Sequence, residues 1–161
     1  MLTSVELMDV PPQPILTVRV TATLEGLGAA LGEALARVTN LALAAGAGAG
    51  APVVRRLRRT PEQIEVLAGT CVPDPSRFAA GAEGEPRVER LPGGRVARAL
   101  YTGAYRDLDK AHRELARWAR EQGLEPAGPP WEIHTTGPTD VSDAASAKAQ
   151  LYLPVRPAKA G

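Results

Sequence analysis

The sequence predicts an α+β fold, a single domain with two helices packed on one face of a largely antiparallel sheet. Three observations lead there. Segments with strand character come in runs, only two segments carry helical periodicity, and the chain divides into two halves with the same order of elements. A length of 161 residues suits one domain, spanning 1–161. Such a chain buries roughly two thirds of the surface its unfolded form exposes, so it needs no disulfide scaffold.

The first half runs from 5 to 72. "VELMDVPPQPILTVRVT" (5–21) reads as a strand, a Pro-rich turn and a second strand. Leu27, Leu31, Leu35 and Val38 then recur at helical spacing. The small-residue loop "AAGAGAGAP" (44–52) ends that helix, because Gly releases the chain and Pro prevents its continuing. Two strands follow, "VVRRL" (53–57) and "IEVLAGTCV" (64–72). The Pro-, Gly- and Ala-rich stretch 73–86 connects the halves.

The second half, 88–157, repeats that order. "VERLPGGRVARALYT" (88–102) reads as strand, turn, strand; its "LPGG" lacks the Lys and helix context of a phosphate loop and is expected to be a hairpin turn. Leu108, His112, Leu115 and Trp118 or Ala119 mark the second helix, with "ELARW" (114–118) in the place of "ALARV" (34–38). The loop "GLEPAGPP" (123–130) leads to the strand "WEIHT" (131–135), and "AQLYLPV" (149–155) closes the half. Between those strands, the polar segment 135–149 is positioned to form a lid. Two such halves leave a gap between their helices, floored by the sheet, where a small-molecule groove is expected.

Charge and composition narrow the function. Nineteen Lys and Arg against eighteen Asp and Glu give a balance of +1, far from the basic footprint of a nucleic-acid-binding domain, so no direct nucleic-acid contact is expected. Cys71 is the only cysteine, which excludes an internal disulfide and a thiolate metal site. The two histidines lie apart without carboxylates at ligand spacing, so neither a metal nor another cofactor is expected. The first twenty residues lack the basic and apolar regions of a signal peptide, and no run approaches the ~18 apolar residues of a membrane helix. A cytoplasmic location without membrane contact is expected.

Within "PPWEIHT" (129–135) a carboxylate stands between Trp131 and Ile133, although strands are poor in Glu. Alternation puts Glu132 and His134 on one face and Trp131, Ile133 and Thr135 on the other. A desolvated carboxylate must bind a cation or have its pKa raised toward neutrality. The remaining charged cluster, "RRLRR" (55–59), alternates about Leu57 and reads as a solvated strand end; His112 reads as a boundary histidine on the helical stripe.

The second half resembles the GyrI-like domains, the effector-binding domains of bacterial transcription activators, which also occur as stand-alone proteins. The likeness rests on "YTGAY" (101–105) at the helix entry, on "LARWAREQGLEPAGPPWEIH" with its internal Trp, Gly exit and Glu-bearing strand, and on "LYLPV" (151–155). It covers 88–157, with the first half alike in layout. Tyr101, Ala104 and His134 depart from the His, Pro and Tyr common at those places.

What the resemblance implies is a lipophilic, cationic or aromatic ligand in an aromatic pocket, serving drug sensing, sequestration or resistance. Glu132 would be its anchor and Tyr101, Tyr105, Trp118, Trp131 and His134 its walls. The alternative it implies is a hydrolase opening cyclopropane-containing natural products, with Glu132, Tyr105 and His134 as acid and base. With no helix-turn-helix expected, regulation would need a separate regulator chain or a homodimer partner.

Overall fold

The computed structural model describes residues 2–46, 48–74, 76, 86–135 and 147–159, without the side chains of Tyr105 and Ala147. The chain first forms β1 (Leu2–Val10), β2 (Gln13–Ala22), α1 (Leu27–Ala44), β3 (Pro52–Arg59) and β4 (Ile64–Cys71). It continues as β5 (Arg87–Leu91), β6 (Gly94–Gly103), a 3-10 turn (Tyr105–Asp107) and α2 (Leu108–Glu121), ending with β7 (Leu124–Pro126), β8 (Trp131–His134) and β9 (Ala147–Pro157).

All described strand pairs are antiparallel, and the sheet order is β1-β6-β9-β8-β3-β4-β2-β5, with β7 paired to β9 off that path. The fold is therefore α+β, with two α-helices among the described residues and a largely antiparallel sheet, as the runs of strand character predict.

Each helix is laid down by its apolar stripe. α1 buries Leu27, Leu31, Leu35, Val38 and Ala42, and α2 buries Leu108, Ala111, His112, Leu115 and Ala119. Gly123, at φ 79°, takes the left-handed conformation that ends α2, and its carbonyl accepts from the Ala158 N–H at 3.0 Å. Both stripes pack on one sheet face in a single apolar cluster that includes Leu16, Val54, Val66, Ala97 and Leu151. Burying each Leu of these stripes contributes about 1.5–3 kcal/mol. The opposite sheet face carries a second cluster of Ile15, Val53, Leu91, Val96 and Trp131.

The structure corrects the sequence reading in three places. The "LPGG" segment is not a hairpin turn, since β5 and β6 do not pair with each other: Leu91 pairs with Gln13 and Gly94 with Val10. β1 likewise pairs with β6 instead of β2. The two connections abut, and a Cβ on Gly93 would lie 2.6 Å from Pro12 Cδ, so only glycine permits the approach. The stretch 123–130 is not all loop, because Leu124–Pro126 forms β7 on the far part of β9. Finally, "RRLRR" is not wholly a solvated strand end: Arg56 shares the helix face with Val54 and is buried there, and only after it does a bulge, between Arg56 and Arg58, interrupt the alternation. The expected lid lies, at residues 136–146, outside the described residues, as does most of the connecting loop.

Candidate functional site

β8 is only four residues long but lies in the middle of the sheet, between β3 and β9. Its alternation sends Trp131 to the face away from the helices, where the ring stacks on Tyr152 with centroids 5.4 Å apart. Glu132 goes to the helix face between its register partners Val54 and Leu151, where it is 0% exposed. The face reading made from "WEIH" thus matches the geometry.

An ionised carboxylate in that position costs several kcal/mol unless it is paired. Arg56, two positions past Val54 on β3, supplies the charge: its Nε and Nη2 donate to Glu132 Oε1 at 3.2 and 2.7 Å. The other oxygen, Oε2, lies 3.4 Å from His112 Nε2, delivered from above by α2. His134 Nε2 stands 3.9 Å from Oε1. All four side chains are buried.

Two titration effects follow. Burial pushes the Glu132 pKa up, but Arg56 and His112 overcome it and hold the carboxyl below the usual carboxylate range. Of the two outcomes expected of a desolvated carboxylate, the structure shows the paired cation, supplied by the chain's own Arg56, and not the raised pKa. Burial lowers both imidazoles, the Glu132 charge only partly opposing it, so His112 and His134 are neutral at neutral pH. An ionised Glu132 can only accept, which places the His112 proton on Nε2. His112 Nδ1 is then a lone-pair acceptor, buried and without a hydrogen-bond partner among the described residues.

Above this network a cleft of about 370 Å³ opens beside α2. Leu57, Ile64, Ala116, Pro130 and Leu153 are among its apolar walls, Arg56 and His112 reach it from below, and Arg58, Arg59, Asp109 and Arg113 add charged groups. The Arg56 N–H donates to Pro130 O at 2.9 Å, tying β3 to the segment entering β8. Both halves of the chain contribute to the cleft, yet α1 does not line it, so it is not the groove between two helices that the sequence suggests.

Of the residues singled out from sequence, Glu132 and His134 come together, beneath the cleft. Tyr101 is buried, donates to Ala104 O at 2.6 Å and lines a different cavity of about 260 Å³ at the start of α2. Trp118 packs partly buried against the main core, and Trp131 lies on the reverse face. The Tyr105 side chain is outside the described residues. Among the described residues no group of three His, Cys, Asp or Glu side chains suits a metal ion, and no helix is long and apolar enough to cross a membrane.

Arg56 and His112 are the site residues that the sequence reading assigned elsewhere. A buried Glu calls for a cation from a neighbouring strand, and "RRLRR" was the signal. His112 was already on the buried stripe of α2.

Searches of solved structures return the same fold. The C-terminal domain of EcmrR superposes with a TM-score of 0.68 at 17% identity, covering 98% of this chain and 99% of that one. In the EcmrR-DNA complex the TM-score is 0.72, and this chain spans 57% of the EcmrR chain. A hydrolase encoded by lin2189 from Listeria innocua matches at TM-score 0.61 and 12% identity, over 94% of this chain and 91% of that one. SAV2435 bound to tetraphenylphosphonium matches at 0.57 and 9%, over 96% and 94%. No curated protein matches the sequence. The profile of the GyrI-like small molecule binding domain matches residues 3–156, nearly the whole chain, and with the fold in agreement the chain belongs to the GyrI-like family.

Proposed function

We propose that the chain binds a small lipophilic, aromatic molecule in the cleft beside α2, in the service of drug sensing, sequestration or resistance, as one domain over 1–161. The observation that carries this reading is an apolar-walled cleft of about 370 Å³ with a buried polar network at its base. Pockets of this kind use apolar walls for affinity and a few fixed polar groups for orientation. Family membership and a ligand-bound neighbour support it.

Glu132 acts in this reading through the groups it holds. It fixes the Arg56 guanidinium and the His112 imidazole, and those two meet the ligand. His134 sets the electrostatics from below, while Tyr101, Trp118 and Trp131 support the scaffold. Regulation through a separate regulator chain or a second copy, and a cytoplasmic location, belong to the same proposal.

The test is to fill the cleft. Ala116 lines it from α2 and is only half-buried, so Ala116→Trp can be tolerated by the fold. Binding of a lipophilic aromatic panel, followed by calorimetry, is expected to disappear in this variant while its thermal unfolding matches wild type. Unchanged binding in the folded variant would remove the cleft from the reading.

The second reading, hydrolysis of a strained electrophile, is favoured by the unpartnered Nδ1 of His112. An imidazole oriented through Nε2 by a carboxylate has the arrangement of a general base for water. Some neighbours carry the name hydrolase. Here Glu132 orients the base and is not itself the acid. Mass spectrometry of cyclopropane-containing compounds after incubation decides: product formed by wild type and lost in His112→Gln supports hydrolysis, and intact compound in both excludes it.

A further inference from the structure

The charge of the cleft gives the chemistry of its ligand, an inference that rests on the cleft being the ligand site. Its charged lining residues are Arg56, Arg58, Arg59, Asp109 and Arg113. Arg56 is matched by Glu132. Asp109 is shared by two guanidiniums, Arg59 at 2.7 Å and Arg113 at 3.5 Å, and so balances only one of them. Arg58 is exposed and has no ion-pair partner among the described residues. Among the described residues, three guanidiniums thus face one carboxylate, leaving two positive charges unbalanced. The buried histidines add none, since burial keeps them neutral.

The two kinds of surface are separated in depth. Arg58, Arg59 and Arg113 are exposed at the mouth, whereas Ile64 and Leu153 are buried below. A cation entering this cleft would face net repulsion at the mouth and find Glu132 already taken by Arg56. An apolar body with a negative head would put each part against its complement, the head on guanidiniums whose planar fork suits a carboxylate or sulfonate.

We infer that the ligand is a lipophilic organic anion, an aromatic or aliphatic body carrying a carboxylate or sulfonate, held by its body in the cleft and by its head at the arginine mouth.

Three soluble probes of one shape but different charge test this: 2-naphthoate, 2-naphthalenemethanol and 2-naphthylmethylammonium, titrated by calorimetry at low and high salt. Naphthoate is expected to bind tightest and the ammonium weakest, with steps on the order of tenfold per unit charge that shrink as salt rises. The double variant Arg58→Glu and Arg113→Glu, checked for wild-type thermal unfolding, should reverse the order. If the alcohol or the ammonium binds as well as naphthoate, the anion inference is overturned while the ligand-site reading stands. Naphthoate binding that survives Ala116→Trp places the anion elsewhere and also overturns it. If none of the three binds, the ligand-site reading falls and takes the inference with it.

Discussion

The Arg56–Glu132 pair shows how much one side chain's setting depends on another. Removing the arginine leaves a charge at the centre of the sheet, so Arg56→Ala is expected to cost about 3–5 kcal/mol, read by urea unfolding. The double replacement Arg56→Met with Glu132→Leu removes both charges and fills the space, and should recover most of that loss. If the double variant is as unstable as the single one, packing rather than charge governs the site.

Acid should act on the same residues. His112 and His134 are held below their ordinary 6.5, so below that pH the unfolded chain binds protons that the folded chain refuses. Stability is therefore complete above about 6.5 and falls on acidification below it. Glu132, depressed from 4.5, adds a further loss only as pH drops below that value. Thermal midpoints between pH 8 and 5 should decline, and His112→Gln should flatten the slope; a flat wild-type profile would contradict the burial of neutral imidazoles.

Legibility at this scale was uneven. The oddity of Glu132 and its companion His134 could be seen in four letters, because strand alternation has a fixed period. Its counter-ion was harder to assign: alternation from Val54 puts Arg56 on the helix face, but four arginines in five residues read as solvated, and no period tells that β3 lies beside β8.

Helices were legible for the opposite reason. Four or five apolar residues at regular spacing leave only one face to bury, and both α1 and α2 bury the stripes their sequences show. Strand existence was legible too, apart from the three-residue β7, whose Pro126 and neighbouring Gly and Pro read as loop. Strand partners were not, because alternation says which face a residue takes but nothing of which neighbour it meets. β4 illustrates the constraint that pairing adds. A Cβ on Gly69 would stand 2.6 Å from Leu16 O, across the strand from β2. Gly69→Ala should therefore destabilise by about 1–3 kcal/mol through a forced backbone shift, despite alanine's better intrinsic propensity. A neutral result in denaturant unfolding would mean that β2 and β4 separate more easily than their register implies.

For the whole molecule, the cleft is where sequence reasoning and structure differ most. Layout predicted a groove between two helices. The helices instead cover their own parts of the sheet, α1 over β2 and β4, α2 over β6, β7 and β9, and the opening lies on the β3 side of α2. Side-chain volume and the path of the β7–β8 connection decide that, and neither is periodic.

The exchanged pairing of β1 has a consequence for time rather than for energy. Glu6 and Arg98 meet across an interval of 92 residues, whereas β3 and β4 are joined by a four-residue connection. Closing the long interval costs more chain entropy than closing the short one, so the local hairpin can form early and β1 should dock late. A residue that docks late influences unfolding more than folding. Met8 packs partly buried from β1 against the reverse-face cluster. Met8→Ala should then speed unfolding in stopped-flow experiments and leave the refolding rate nearly unchanged, making the first strand the latch that sets how long the folded molecule lasts.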